Sequence, residues 1–169
     1  MIQEHNKPVA DVWNLGGQHY NFVSFTISDA LAHATQILAP TPGENILDIA
    51  TGAGWTARNV AMMGAQACAI DIADKLLEST EAFSSYIQPH IDFKLADTEN
   101  LPFPDSSFDG IISTFSVMFT SDHRKAASEI ARVCKPGGRV VLTNQPKIRK
   151  MSLFNRYLIW SAAIRVNHL

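Results

Sequence analysis

The sequence predicts an α/β domain built on a doubly wound, mostly parallel sheet of about five strands with helices on both faces. Three observations carry this. Short apolar stretches alternate with longer ones whose apolar residues recur at helical spacing. The short stretches are apolar at successive positions, as strands covered on both faces must be. A glycine turn, Gly52-Ala53-Gly54, stands between the first of them and the helix that follows. Crossovers in parallel sheets are right-handed, which places a ligand crevice at the C-terminal ends of the strands.

The elements follow in order. Residues 24–38 begin with Ser24, Thr26 and Ser28 as cap candidates and continue with Ile27, Ala30, Leu31, Ala34, Ile37 and Leu38 at helical spacing. Pro40-Thr41-Pro42-Gly43 stops that helix. Asn45–Ile49 is the first strand, and Trp55–Met63 a helix closed by Gly64. Ala67–Ile70 is the second strand and Asp74–Tyr86 a helix with Asp74 near its start. Ile91–Leu95, Phe108–Thr114 and Arg139–Thr143 are strands three to five. Asp122–Cys134 is an amphipathic helix with Ala126, Ala127, Ile130 and Val133 on one face. Met151–Leu169 reads as an apolar helix.

A chain of 169 residues suits one domain. The division is an N-terminal helical cap over residues 1–40, a core over 44–144 and a C-terminal helix over 150–169. With 46% hydrophobic residues, 9 Gly, 8 Pro and 2 Cys, disorder and disulfide-scaffold classes are excluded. No apolar run approaches the ~18 residues of a membrane span, and the N-terminus lacks the pattern of a signal peptide. Cys68 and Cys134 fit free buried thiols, so a cytoplasmic setting is expected. Residues 1–123 carry a formal charge of −11 and residues 124–169 one of +9. The basic residues are spread over several elements, which suits pairing with the acidic half rather than a nucleic-acid partner. No metal site is expected.

The chemistry lies just after the strands. Gly52 and Gly54 allow a tight turn and close backbone approach before a helix N-terminus. A bare G-x-G-x-x-A also fits dinucleotide enzymes. Asp48 shifts the balance, because a carboxylate beside the glycine turn repels a pyrophosphate and favours an ammonium or sulfonium ligand. Asp71 follows the second strand, where a carboxylate can accept both hydroxyls of a ribose. Its bland role would be a helix cap, a task that Asp74 suits better. Ile72 can pack on a purine face or serve the core. Asp97, after the third strand, can accept from an exocyclic amine such as that of adenine.

Taken together, these segments resemble the class I S-adenosylmethionine-dependent methyltransferases, in the branch of quinone-biosynthesis and small-molecule enzymes. The carrying residues are Ile46–Gly54, Ala69–Ile72, Ala96–Asp109, Phe115–Phe119 and Glu129–Arg139, in the family's order and spacing. The resemblance spans about Trp13 to Thr143. It implies a Rossmann-like fold, S-adenosylmethionine as cofactor and a small-molecule methyl acceptor. It also implies that Ala50, Thr51, Gly52 and Gly54 hold the methionine end, with Asp48 ordering the ammonium. Asp71 would take the ribose, Ile72 the purine face, and Asp97 with Thr98 the adenine. Phe115 would reach the ammonium through its carbonyl. Trp13, Gly16 and Tyr20 match a segment that often lies over the methyl donor, and Phe119 is a further candidate for the methyl pocket. Trp55 is a candidate for the pocket floor, and His19 and His123 are the available bases. The catalytic residue, if the reaction uses one, is not read from the sequence.

The family sheet continues with an antiparallel strand pair to seven strands, and residues 144–169 show no such pair. Strand five would then be an open edge, and the chain would be C-terminally truncated relative to the family. From that edge and the apolar tail, a homodimer through strand five or the C-terminal helix is expected. The alternative function is a catalytically incomplete cofactor-binding or assembly module. A nicotinamide dehydrogenase is disfavoured by Asp48 and by the lack of a hydride-transfer residue set.

Overall fold

A computed structural model describes residues 1–144 and 160–166. Six strands form one sheet: β1 (Asn45–Ile49), β2 (Gln66–Asp71), β3 (Asp92–Leu95), β4 (Phe108–Thr114), β5 (Cys134–Asn144) and β6 (Trp160–Arg165). Their order is β3-β2-β1-β4-β5-β6. β1 to β5 are parallel, and β6 runs antiparallel to β5. The helices are α1 (Lys7–Asn14), α2 (Tyr20–Phe25), α3 (Ser28–Leu38), α4 (Trp55–Met62), α5 (Asp74–Ser84) and α6 (His123–Val133).

Neighbouring residues of each central strand feed opposite cores, which is why the strands read as apolar runs. Ile46, Ala69, Ile112 and Val141 pack with Ala34 and Leu38 of α3 and with Ala57, Val60 and Ala61 of α4. Leu47, Ile70, Ile111 and Val140 pack on the other face with Ile130 and Val133 of α6. Strand order reverses between β1 and β4, and the crevice above that switch point is the natural ligand site of a doubly wound sheet.

Boundaries move where caps differ from expectation. The helix expected over 24–38 begins at Ser28, and residues 20–25 form their own helix. None of Ser24, Thr26 and Ser28 caps α3, whose preceding residue is Ile27. Asp122 caps α6, accepting from the amides of Arg124 and Lys125 at 3.0 Å each. Ala127 is exposed on that helix, and the buried face takes Glu129 instead.

Residues 160–165 do not continue a helix. They form β6, paired with β5 from Asn144↔Trp160 to Arg139↔Arg165. A strand edge with unpaired amides and carbonyls offers a ladder of hydrogen bonds that local helical propensity does not outweigh. Val166 adds bonds through Gly137 N to its carbonyl at 2.7 Å and from its own amide to Gly138 O at 3.1 Å. β5 is therefore not an edge, and the strand-five attachment point expected for a homodimer is filled by the chain itself. The rest of the expected C-terminal helix lies outside the described residues. The charge asymmetry resolves partly within the chain. Arg139 pairs with Glu44 at 2.6 Å, Lys135 with Asp109 at 2.7 Å, and Arg132 with Asp105 at 2.8 Å.

Candidate functional site

The chain leaves β1 at Ile49 and turns through residues 50–54 into α4. Ala50 (φ 53°), Gly52 (φ 56°) and Gly54 (φ 74°) are all left-handed. The turn is tied on three sides. Thr51 N donates to Ile70 O at 2.9 Å, Gly54 N to Thr51 O at 2.9 Å, and Thr80 Oγ1 to Gly52 O at 2.7 Å. A Cβ on Gly54 would strike Thr80 Cγ2, and one on Gly52 would lie 2.9 Å from Tyr20 Cε1. Both glycines are thus required by left-handed backbone and by the protein's own side chains.

Asp48 lies beneath this turn, 1% exposed. Its Oδ2 accepts from Thr51 Oγ1 at 2.6 Å, whereas its buried Oδ1 has no hydrogen-bond partner among the described residues. Burial pushes its carboxyl up to about 7; the Thr51 bond opposes this and the Asp71 charge adds to it. A cation bound above the turn would relieve the penalty, so the orphaned oxygen fits an ammonium or sulfonium group and not a pyrophosphate.

Asp71 closes β2. Its Oδ2 accepts from Gly52 N at 2.8 Å and its Oδ1 from Ala73 N at 2.9 Å. Neither it nor Asp74 caps α5, whose preceding residue is Ala73; among the described residues the Asp74 carboxylate takes the neighbouring Lys75 amide. Each Asp71 oxygen retains a further lone pair, enough for a diol. Burial raises its pKa against the backbone bonds that lower it. Asp97 is more fully engaged. Its Oδ1 accepts from Glu99 N at 2.9 Å, and its Oδ2 from Gln3 N and Asn6 Nδ2 at 3.0 Å each.

A cavity of about 90 Å³ joins these groups. Ala50, Gly52, Asp71 and Ile72 wall it at the ends of β1 and β2; Asp97, Thr98 and Phe115 do so beyond β3 and β4. Trp13, Tyr20 and Phe119 close the N-terminal side. The Trp13 ring meets Tyr20 and Phe119 edge-on, with centroids 5.7 and 5.4 Å apart. Phe115 is left-handed (φ 56°), its amide held by Thr143 O at 3.2 Å and Thr143 Oγ1 at 3.1 Å. Burial, with the Asp71 charge, raises the Tyr20 phenol above its ordinary value. Asp48, Thr51 and Gly54 stand behind the turn and do not line the cavity. Nor do His19, His123 and Trp55; Trp55 donates from Nε1 to Asn21 Oδ1 at 2.8 Å and so anchors α2.

The sequence shows no sign of the strap across the cavity formed by residues 3–6. His5 Nε2 meets Glu99 Oε2 at 2.7 Å, and Ser121 Oγ donates to Asn6 Oδ1 at 2.6 Å. Glu99 Oε1 also accepts from Asp122 N at 2.8 Å, so this buried acid ties three segments together. Asn6 and Glu99 both line the cavity. Only the acid-rich Asp97-Thr98-Glu99 stretch hinted at this; nothing local marks Asn6. Among the described residues, no group of three His, Cys, Asp or Glu side chains is placed to hold a metal ion. Among the same residues, no helix is long and apolar enough to cross a membrane.

Glycine turn, acids at the ends of β2 and β3 and crevice at the switch point together define a doubly wound α/β domain of the Rossmann-like class. Residues 47–142 match the family model described as a methyltransferase domain. The chain belongs to the class I S-adenosylmethionine-dependent methyltransferase family. It is similar to the demethylmenaquinone methyltransferase of Clavibacter sepedonicus, 37% identical over 108 residues, covering 64% of this chain and 44% of that protein. The enzyme of the same name from Tropheryma whipplei is 33% identical over 144 residues, covering 82% and 59%. Among solved structures, the YcgJ protein of Bacillus subtilis superposes with a TM-score of 0.65 at 31% identity, covering 69% of this chain and 50% of that one. The [4+2]-cyclase SpnF superposes at 0.62 with 28% identity, covering 70% and 44%. The chain spans about half the length of the curated relatives it matches.

Proposed function

We propose that this chain binds S-adenosylmethionine and transfers its methyl group to a small-molecule acceptor in the cytoplasm. The observation that carries this is Asp71, held at the end of β2 by the Gly52 amide, with lone pairs left for a ribose beside an orphaned Asp48 oxygen. When bound, the cofactor would supply an electrophilic methyl on a sulfonium, with a neutral thioether as its leaving group, to an acceptor lone pair.

The chain's own residues bind and orient. Asp71 takes the ribose hydroxyls. Asp97 keeps one lone pair on Oδ1 for an exocyclic amine, its other sites being filled by Gln3, Asn6 and Glu99. The left-handed turn at Phe115 fixes the direction of its carbonyl toward the ammonium. Asp48, with a pKa about 7, is readily ionised by a neighbouring cation. Trp13, Tyr20 and Phe119 exclude water from the mouth, and their ring faces favour a sulfonium by ~0.5–2 kcal/mol. Holding donor and acceptor in line supplies ~7–11 kcal/mol of the barrier. Tyr20 keeps its proton at neutral pH and is a donor rather than a base. The two demethylmenaquinone methyltransferases make a quinol-like ring the first acceptor to assay, and the aromatic mouth suits such a ring.

Calorimetry with S-adenosylhomocysteine against NAD tests the cofactor. Binding of the former alone is expected, and NAD binding would overturn it. Turnover of labelled S-adenosylmethionine over phenols, quinols and amines tests the transfer. Cofactor binding with no turnover on any acceptor would favour a binding or assembly module. The SpnF match is the specific reason to keep that outcome in view, since the same fold there carries a cyclase.

A further inference from the structure

Arg58 stands on α4, on the far side of the glycine turn from the cavity, and is only 8% exposed. Its Nη1 donates to Ala53 O at 2.9 Å and to Ser84 Oγ at 3.1 Å. Among the described residues, no carboxylate lies within 4.0 Å of it. Tyr86 and Asp48 act on it through longer-range electrostatics. A guanidinium has five N–H donors in a flat fork, and two neutral acceptors on one nitrogen leave donors of the fork without a carboxylate partner.

Arg58 forms one wall of a groove of about 310 Å³, with Asn21, Trp55, Asn59, Phe83 and Tyr86. The Trp55 ring centroid is 5.4 Å from the guanidinium carbon. Phe83 and Tyr86 are 48% and 75% exposed. Large aromatic side chains thus stand open beside a buried positive charge, and the volume falls at the low end for small-molecule sites, ~300–1,000 Å³.

We propose that this groove is a second binding site, for a small monocarboxylate carried on an aromatic body. The carboxylate pairs with the Arg58 fork, which matches it in geometry and cancels its charge. The ring stacks among Trp55, Phe83 and Tyr86, and the Asn59 amide is a further polar contact. One cation with aromatic walls selects a single negative charge over a phosphate. The site is separate from the cavity at the strand ends and does not depend on methyl transfer.

The test uses the full chain and benzoate, followed by NMR at the Trp55 indole N–H, which Trp55→Phe assigns. A saturable shift at millimolar benzoate is expected, with none from benzamide, which has the ring without the charge. Arg58→Met should weaken benzoate at least about tenfold, the worth of a charged hydrogen bond. Should that variant fail to fold, Asn59→Trp fills the groove from a half-buried position and should abolish the shift. Equal shifts from benzamide, no saturation with benzoate, or undiminished binding in Asn59→Trp would each overturn the proposal. So would reversal of the benzoate shift by saturating S-adenosylhomocysteine, which would place benzoate in the other cavity.

Discussion

Replacing Asp48 by Asn should stabilise the protein above neutral pH while weakening its hold on a cationic ligand. The carboxyl is fully buried, one oxygen has no partner, and its pKa stands at about 7 against an ordinary 3.8. An acid whose pKa is raised by folding binds its proton more tightly in the native state. Below pH 4 both states hold the proton, and Asp48 contributes no pH dependence. Between pH 4 and 7 the unfolded chain releases it first, so native stability falls as pH rises. Above 7 the full penalty is present, on the order of 4 kcal/mol at ~1.4 kcal/mol per tenfold in proton affinity. Asn keeps an acceptor for Thr51 Oγ1 and never ionises. Urea denaturation from pH 4 to 8.5 should therefore show the two proteins nearly equal at the acid end, with Asp48→Asn ahead by a few kcal/mol at pH 8. S-adenosylhomocysteine, which keeps the ammonium, should bind the variant more weakly at pH 8. A difference in stability that stays flat with pH would refute the reasoning.

Asp71→Asn removes one of two charge-assisted bonds to the Gly52 and Ala73 amides and half of the diol recognition. S-adenosylhomocysteine affinity by calorimetry should drop about tenfold or more, at ~1.5–3 kcal/mol for such a bond. Gly54→Ala meets both the left-handed backbone and the Thr80 methyl, so a loss above ~1 kcal/mol in chemical denaturation and a loosened glycine turn are expected. Asn6→Ala frees one site on Asp97 and strands Ser121 Oγ. Hydrogen exchange over residues 3–14 should accelerate while the sheet stays protected.

Legibility followed the range of the forces involved. Asp48, Gly52 and Gly54 sit within seven residues of one another, and their chemistry is local, so pattern alone located them. β1, β2 and β4 were legible because burial on both faces leaves no polar alternation to confuse them, whereas β3 is a largely exposed edge strand. Asp71 stands at the end of β2, but its backbone bonds to Gly52 and Ala73 are not legible in the sequence, where Asp74 looks the better cap. Asn6 was invisible as a cavity residue, and Glu99 was marked only by the acid-rich stretch it shares with Asp97: Asn6 meets Asp97 across 91 positions, and no spacing rule reaches that far. β6 was misread for a related reason. Its conformation is dictated by the open face of β5, not by its own residues.

The docking of residues 3–6 has a practical side. The amide of Gln3 is a direct ligand of Asp97, and Met1, two residues earlier, is 92% exposed. An affinity tag fused ahead of Met1 therefore begins close to the segment that lies against the cavity, where its bulk and charge compete with the contacts of Gln3 and Asn6 to Asp97. The same contacts join residues 3–6 to partners some ninety positions later, a separation that slows folding. In a cell the segment has to wait, unpaired, until β3 and the loop to α6 have left the ribosome.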